Sequence, residues 1–323
     1  VVMLLPFSAG IYVSYSCGSA QDISDARAVC DILNIPHEVH DFGAAFKDCV
    51  ISDFINCYKS GATPNPCIVC NRRIKFERLL KMAVERGYDA IATGHYARIE
   101  KSPEGRYLLK KAVDASKDQS YVLYSLSQEQ LSRTIFPLGE MTKAEARDLA
   151  EGLGFTNARK HDSQDICFVP DGDYVSFIER STGESFEKGD FIDINGNILG
   201  KHEGIIKYTI GQRKGLGMAL GEPAYVIEKN IQSNTVVLGK NSDLFKTELT
   251  ASNINLISCE SIPSPVRVKA KIRYNQKEQP ATVEQLSHDR IRVVFDEPQR
   301  AITKGQSVVL YEGDIVVGGE IIE

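Results

Sequence analysis

No apolar run in the 323-residue chain is long enough to span a bilayer, and its apolar start lacks the basic n-region and cleavage site of a signal peptide. The expectation is a cytoplasmic protein that works without a membrane. Excess positive charge is also missing: 38 Lys and Arg face 43 Asp and Glu, a net charge of −5. Nucleic-acid binding, if present, must therefore come from a local patch. There is no internal repeat and no low-complexity tract. Only one C-x-x-C pair occurs, Cys67 and Cys70, so a structural zinc site built from two such pairs lacks half its ligands.

What is present is enough apolar residue, 42%, for two or three domains with real cores. Eight cysteines in a reducing compartment point to core fillers, metal ligands or redox groups rather than a disulfide framework. Cys30, Cys49, Cys57 and Cys259 sit in apolar patterns and read as buried, inert thiols, while Cys17 is undecided. The stretch Thr63 to Asn71, Thr-Pro-Asn-Pro-Cys-Ile-Val-Cys-Asn, stands out. Its prolines predict a stiff extended loop, and Phe76, Leu79, Leu80 and Ala83 predict a helix after Asn71 whose first turn lies beside Cys70. From Gly61 to Ser120 there are 12 Lys or Arg against 7 Asp or Glu, a local basic excess that alone reads as a solvated helix face.

Along the chain, helices are predicted from Ser24 to Asn34, from Ala44 to Ser60 with Phe46, Val50, Phe54 and Tyr58 on one side, and after Thr142, where Glu145 completes a capping box and Gly154 is the stop. Ala146, Leu149, Ala150 and Leu153 share a face of that last helix. Strands are predicted at His37 to Phe42, Asp89 to Thr93, Arg106 to Lys111 and Tyr121 to Leu126. This alternation gives an α/β domain with a parallel sheet, whose ligand lies beyond the carboxyl ends of the strands, near Gly94. His161 to Pro170 is a polar loop turning apolar at Cys167. Beyond about Gly183 short strands take over. Runs at Val266 to Arg273, Ala281 to Leu286, Ile291 to Phe295, Ser307 to Tyr311 and Ile315 to Val317 suggest a small β-barrel. The division expected is 1–183, an α/β nucleotide-binding catalytic domain; 184–246, a small β-rich central domain; and 247–323, a C-terminal barrel.

Several blocks together carry more than any one alone. They are Thr63 to Asn71 with Lys75-Phe76, Ala92 to Tyr96, Lys117 to Tyr121, Asp162 to Phe168, Gly211 to Gly217, Phe295 to Pro298 and Gly305-Gln306. In this order they resemble the tRNA-specific 2-thiouridylase (MnmA) family over about Ser19 to Glu323. The resemblance implies an adenine nucleotide alpha hydrolase-like first domain and ATP-dependent, Mg²⁺-assisted 2-thiolation of the wobble uridine of tRNA. The uridine carbonyl oxygen is adenylated, and sulfur then displaces AMP. It further implies that Cys167 receives sulfur as a persulfide from a donor protein and that Cys70 is a nucleophile that helps release it or pairs with Cys167 in a disulfide. Asn65, Pro66 and Cys67 would face the target base; Lys117, Asp118 and Gln119 would contact tRNA; Arg273 and Tyr274 would hold the anticodon stem-loop; Gly94 would line the ATP site. A monomer is expected.

Two positions depart from the family pattern. Many members carry aspartate where this chain has Cys67, and three sulfurs, Cys67, Cys70 and Cys167, could instead hold a [4Fe-4S] cluster with one open iron. Moreover, Val1 to Ser16 contains no S-G-G-x-D-S pyrophosphate loop, and Ser8-Ala9-Gly10 does not replace it. Either ATP use is impaired, leaving a non-catalytic tRNA-binding protein as the rival reading, or the sequence omits part of the natural chain, which is the expectation adopted.

Overall fold

A computed structural model describes residues 20–155, 157–159, 166–218 and 221–323. The expectations for Val1 to Ser16, Cys17 and His161 to Asp165 lie outside the described residues.

The first helix, Ala20–Leu33, buries Ala26 and Cys30. No strand forms at His37 to Phe42; that segment is irregular and leads into a long helix over residues 43–59. The helix comprises Gly43–Phe46, a π-helical turn at Lys47–Ile51 and Ser52–Lys59. The expected stripe is its buried face: Phe46, Val50, Phe54 and Tyr58 are all nearly inaccessible.

The helix over residues 66–85 corrects the sequence reading. It begins at Pro66, not after Asn71, and runs through Pro66–Cys70, a π-helical Asn71–Leu79 and Leu80–Glu85. Proline suits the first helical position because its missing N–H would have no intrahelical acceptor there. So Cys67, rather than Cys70, lies in the first turn. Phe76, Leu79, Leu80 and Ala83 are buried as their spacing implies.

Strand β1, Ile91–Ala92, pairs in parallel with β4, Thr134–Ile135, the parallel sheet of the described residues. Between them an antiparallel hairpin, β2 Ala97–Lys101 and β3 Tyr107–Lys111, reaches out to the barrel. Tyr121 to Leu126 is not a strand. Successive turns, with Val122 N–H donating to Gln119 O, Leu123 N–H to Ser120 O and Leu126 N–H to Leu123 O, bury Tyr121, Leu123, Tyr124 and Leu126. The Lys143–Gly152 helix has its capping box in full, Thr142 Oγ1 accepting from Glu145 N and Glu145 accepting from Thr142 N, and Gly154 ends it at φ +76°. Its apolar face is nevertheless uncovered, with Leu149 55% and Leu153 45% exposed.

The middle of the chain forms a four-stranded sheet in the order β6-β5-β8-β7, from β5 Gly189–Ile192, β6 Ile198–His202, β7 Tyr225–Asn230 and β8 Thr235–Gly239. Its Phe191, Val226, Val236 and Leu238 share one core with Phe46, Phe54 and Ile74 of the first part. The last part is a closed six-stranded barrel: β9 Phe245–Leu256, β10 Val266–Lys271, β11 Gln279–Ser287, β12 Arg290–Arg300, β13 Ser307–Glu312 and β14 Ile315–Ile322. Closure comes from β13 pairing with both β10 and β14. Strand β9, absent from the sequence expectation, supplies the sixth stave; its burial is uneven, so alternation is weak. Arg106 fastens the hairpin to this barrel by donating to Ile257 O, Leu256 O and Cys259 O at 2.6, 3.1 and 2.7 Å.

Candidate active site

The stretch around Cys67 and Cys70 is held from both sides. Upstream of the 66–85 helix, Thr63 N–H donates to Lys304 O at 2.8 Å, and Gln306 Nε2 donates to Thr63 O and Pro64 O at 3.0 and 3.1 Å. Gly305, at φ +86°, lets the two segments approach: a Cβ there would stand 2.8 Å from Ala62 Cβ. The Gly305-Gln306 motif of the barrel thus positions the entry to the cysteine-bearing helix. Asn65 is its N-cap residue, Pro66 is buried, and Cys67 is exposed. Cys70 is half-buried. The next residue, Asn71, is buried, and its Nδ2 donates to Val122 O at 2.9 Å while its Oδ1 has no partner.

Cys167 arrives from 97 positions away on a tight turn. Val169 N–H donates to Ile166 O at 2.8 Å, and Phe168 is buried edge-on against Phe46 at 5.7 Å and Phe54 at 5.1 Å. Both Cys70 and Cys167 are half-buried and pack on the same core cluster, which also contains Ile74 and Phe168. Cys67 is not part of that rim. Among the described residues no three His, Cys, Asp or Glu side chains gather as metal ligands, Cys67, Cys70 and Cys167 included. Cys67 is exposed in the first turn of the helix and Cys70 is half-buried three residues on, a spacing that sets both on one side of it. Of the four cysteines read as buried, Cys30 is fully buried and Cys49, Cys57 and Cys259 are half-buried; burial, then Asp53, pushes Cys57 up to about 11, and burial also raises Cys259.

Gly94 follows β1 and is exposed. An added Cβ would meet only Leu138 Cδ1, at 3.8 Å, and its φ is unexceptional, so neither packing nor backbone demands glycine. The open space suits a closely approaching ligand. Beside it, His95 is buried and neutral. Burial first, then the Lys75 charge, pushes its pKa down to about 3. Lys75 can only donate, so His95 Nε2 accepts from it at 3.4 Å and Nδ1–H donates to Thr93 Oγ1 at 2.7 Å. Lys75 and His95 entered the sequence reading only as members of the Lys75-Phe76 and Ala92 to Tyr96 blocks, with no role of their own; a lysine on the helix that carries Cys70 was the available signal.

Lys117 to Gln119 are joined to this end of the sheet. Gln119 Oε1 accepts from Tyr96 N and Gln119 N–H donates to Tyr96 O, at 2.9 and 2.8 Å. The Asp118 carboxylate serves its own turn, accepting from Ala112 N, Ser120 N and Ser120 Oγ. Tyr274 of the barrel donates its hydroxyl to Asp118 O at 3.2 Å, which brings the Lys117 to Gln119 and Arg273-Tyr274 motifs together. Arg273 is half-buried, with Nη2 donating to Ala301 O at 2.6 Å and Thr303 Oγ1 at 3.2 Å. Lys271 lies over both Tyr121 and Tyr274, 5.7 and 5.9 Å from their centroids.

Comparison with known proteins matches residues 8–171 to a tRNA methyl transferase HUP domain, 175–240 to a tRNA methyl transferase PRC-barrel domain and 246–322 to an aminomethyltransferase beta-barrel domain. A tRNA-specific 2-thiouridylase MnmA of Clostridioides difficile is 52% identical over 314 residues, 97% of this chain and 87% of the relative. One of Acetivibrio thermocellus is 52% identical over 312 residues, 96% and 87% of the two chains. No helix among the described residues is long and apolar enough to cross a membrane. Three domain models in order, and half of all positions shared with these relatives over nearly the full length, mean that the chain belongs to the tRNA-specific 2-thiouridylase family.

Proposed function

We propose that the protein is a tRNA-uridine 2-sulfurtransferase that replaces O2 of a wobble uridine by sulfur. The observation that carries this reading is the pair Cys70 and Cys167, distant in sequence and seated on the rim of one core. ATP binding follows from the family's HUP domain, with Gly94 at the open end of β1 as a lining residue. Mg²⁺ would accompany the nucleotide phosphates.

In the reaction, O2 attacks the α-phosphorus of ATP and pyrophosphate leaves, turning a poor leaving group into AMP. A donor protein has meanwhile left a sulfane sulfur on Cys167. That terminal sulfur attacks C2, and AMP departs. Cys70, as thiolate, attacks the Cys167 sulfur, so the S–S bond electrons pass to the sulfur on C2 and a Cys70–Cys167 disulfide forms. An external dithiol then reduces it. Asn65, Pro66 and Cys67 face the base in this scheme, Lys117 to Gln119 contact the tRNA, and Arg273 with Tyr274 holds the anticodon stem-loop. The non-catalytic alternative is not favoured, because a pure binder has no use for two cysteines so placed.

The test is sulfur incorporation into unmodified tRNA with ATP and a persulfide donor, read as 2-thiouridine by mass spectrometry. Thiolation that disappears in C70A and in C167A is expected. AMP release without thiolation, or a fully active C70A, would overturn the reading.

A further inference from the structure

The segment Gly211 to Gly217, Gly-Gln-Arg-Lys-Gly-Leu-Gly, has no part in the cysteine chemistry, yet it is built rigidly. Gly211 N–H donates to Val226 O and Val226 N–H to Gln212 O, at 2.8 and 3.0 Å, so the loop is rooted on β7. Gln212 staples it internally, its Oε1 accepting from Thr209 N and its Nε2 donating to Lys214 O, both at 3.0 Å. Gly215 and Gly217 take left-handed conformations at φ +75° and +72°, and between them Leu216 is buried in the core that also carries Cys70 and Cys167. With root, staple and plug in place, Arg213 and Lys214 are the side chains left outside. Neither is within ion-pair distance of a carboxylate among the described residues. Glu222 lines the same hollow as Arg213, but its carboxylate lies toward Lys240, at 4.0 Å.

The loop also abuts the barrel at Arg300. Arg300 donates from Nη2 to Gly211 O at 3.4 Å and from Nε to Asn241 Oδ1 at 3.0 Å, and its guanidinium lies 5.4 Å from the Tyr225 centroid. Only glycine fits at 211, since at φ +88° a Cβ would stand 3.1 Å from Ala301 Cβ. Arg300 in turn neighbours Arg273; burial, then the Arg300 charge, holds the Arg273 guanidinium below its usual value. Two guanidinium groups kept near one another, with two exposed cations beyond them that have no ion-pair partner among the described residues, make a surface whose missing component is a polyanion.

We propose that Arg213 and Lys214 clamp the phosphate backbone of the tRNA substrate, continuing the face of Lys117 to Gln119, Tyr274 and Arg273 across Arg300 onto the central domain; this rests on the tRNA-thiolation reading above. The loop reads no base. It fixes the register of the RNA relative to the cysteine rim, as phosphate contacts do.

Binding of an unmodified tRNA transcript to the full chain, measured at several salt concentrations, tests it. For R213Q/K214Q the expected result is weaker binding and a log Kd against log salt slope reduced by about 2, roughly 1 per charge removed. Unchanged affinity and slope would overturn the clamp. So would normal tRNA binding with thiolation lost only when sulfur comes from a protein donor and kept with inorganic sulfide, which would make the loop a docking site for the donor. In the unaltered protein, amine acetylation of Lys214 is expected to be blocked by tRNA while that of Lys240 is not; equal labelling with and without tRNA would count against the clamp even if the variant failed to fold. A parent protein that binds no tRNA would remove the thiolation reading itself, whereas a parent that binds and a variant that binds equally would remove only the clamp.

Discussion

At the scale of single residues, buried polar atoms are the most informative. Glu320 on β14 is completely buried, and neither carboxylate oxygen has a hydrogen-bond partner among the described residues, so desolvation raises its pKa well above the usual 4.5. Because the folded pKa is raised, the stability tied to its proton is complete below about 4.5 and is lost as pH rises toward the folded value. E320Q should therefore unfold at higher denaturant concentration than the parent at pH 7, with the gap closing by up to about 1.4 kcal/mol per pH unit toward pH 4.5. Parallel stability curves for parent and variant would refute this. Gly305 is the second such residue. G305A combines a left-handed backbone, costing about 1–3 kcal/mol, with a collision against Ala62, and should lower thiolation as well as melting temperature by displacing Thr63 and Pro64. Loss of stability without loss of activity in the residual folded protein would show that the grip on the loop is dispensable.

At the scale of elements, periodicity was a good guide wherever one face is buried throughout. Phe46, Val50, Phe54 and Tyr58 were legible because residues four apart stack on one side of the 43–59 helix. The start of the cysteine helix was not, because proline is compatible both with an extended loop and with a first helical turn, and only the contacts of Gln306 with Thr63 and Pro64 show where the loop stops. Tyr121 to Leu126 misled for another reason: Tyr121, Leu123, Tyr124 and Leu126 are all buried in a core shared by the 66–85 helix and the barrel, and a short run of that kind has no period to read. The capping box at Thr142 was legible from two letters, since it is a local contact. T142A should cost about 1 kcal/mol and leave thiolation per folded molecule unchanged; a loss of activity would mean that this helix touches the chemistry.

At the scale of the whole molecule, the three domain models follow one another, but the site is shared among them. One core joins the 43–59 helix, the Cys167 turn and the central sheet, while Arg106 and Tyr274 tie the first domain to the barrel. The Arg106 and Tyr274 ties were not legible in the sequence, because each links residues more than a hundred and forty positions apart. R106M removes the Arg106 donor from the carbonyls of Leu256 and Cys259 and leaves Ile257 O with Gln128 Nε2 alone, and should destabilise the protein by about 2–3 kcal/mol, the scale of one orphaned buried acceptor. Calorimetry should then show the barrel melting apart from the first domain. A single unshifted transition would mean that water replaces the guanidinium at no loss.

The grip of Gln306 on the Thr63 to Pro64 backbone bridges 243 positions. At a synthesis rate of about 5–20 residues per second, Cys67 and Cys70 leave the ribosome on the order of 10–50 s before the side chain that aligns their helix exists. The helix that carries Cys67 and Cys70 thus gains the Gln306 contacts at its entry only when the last strands have been made.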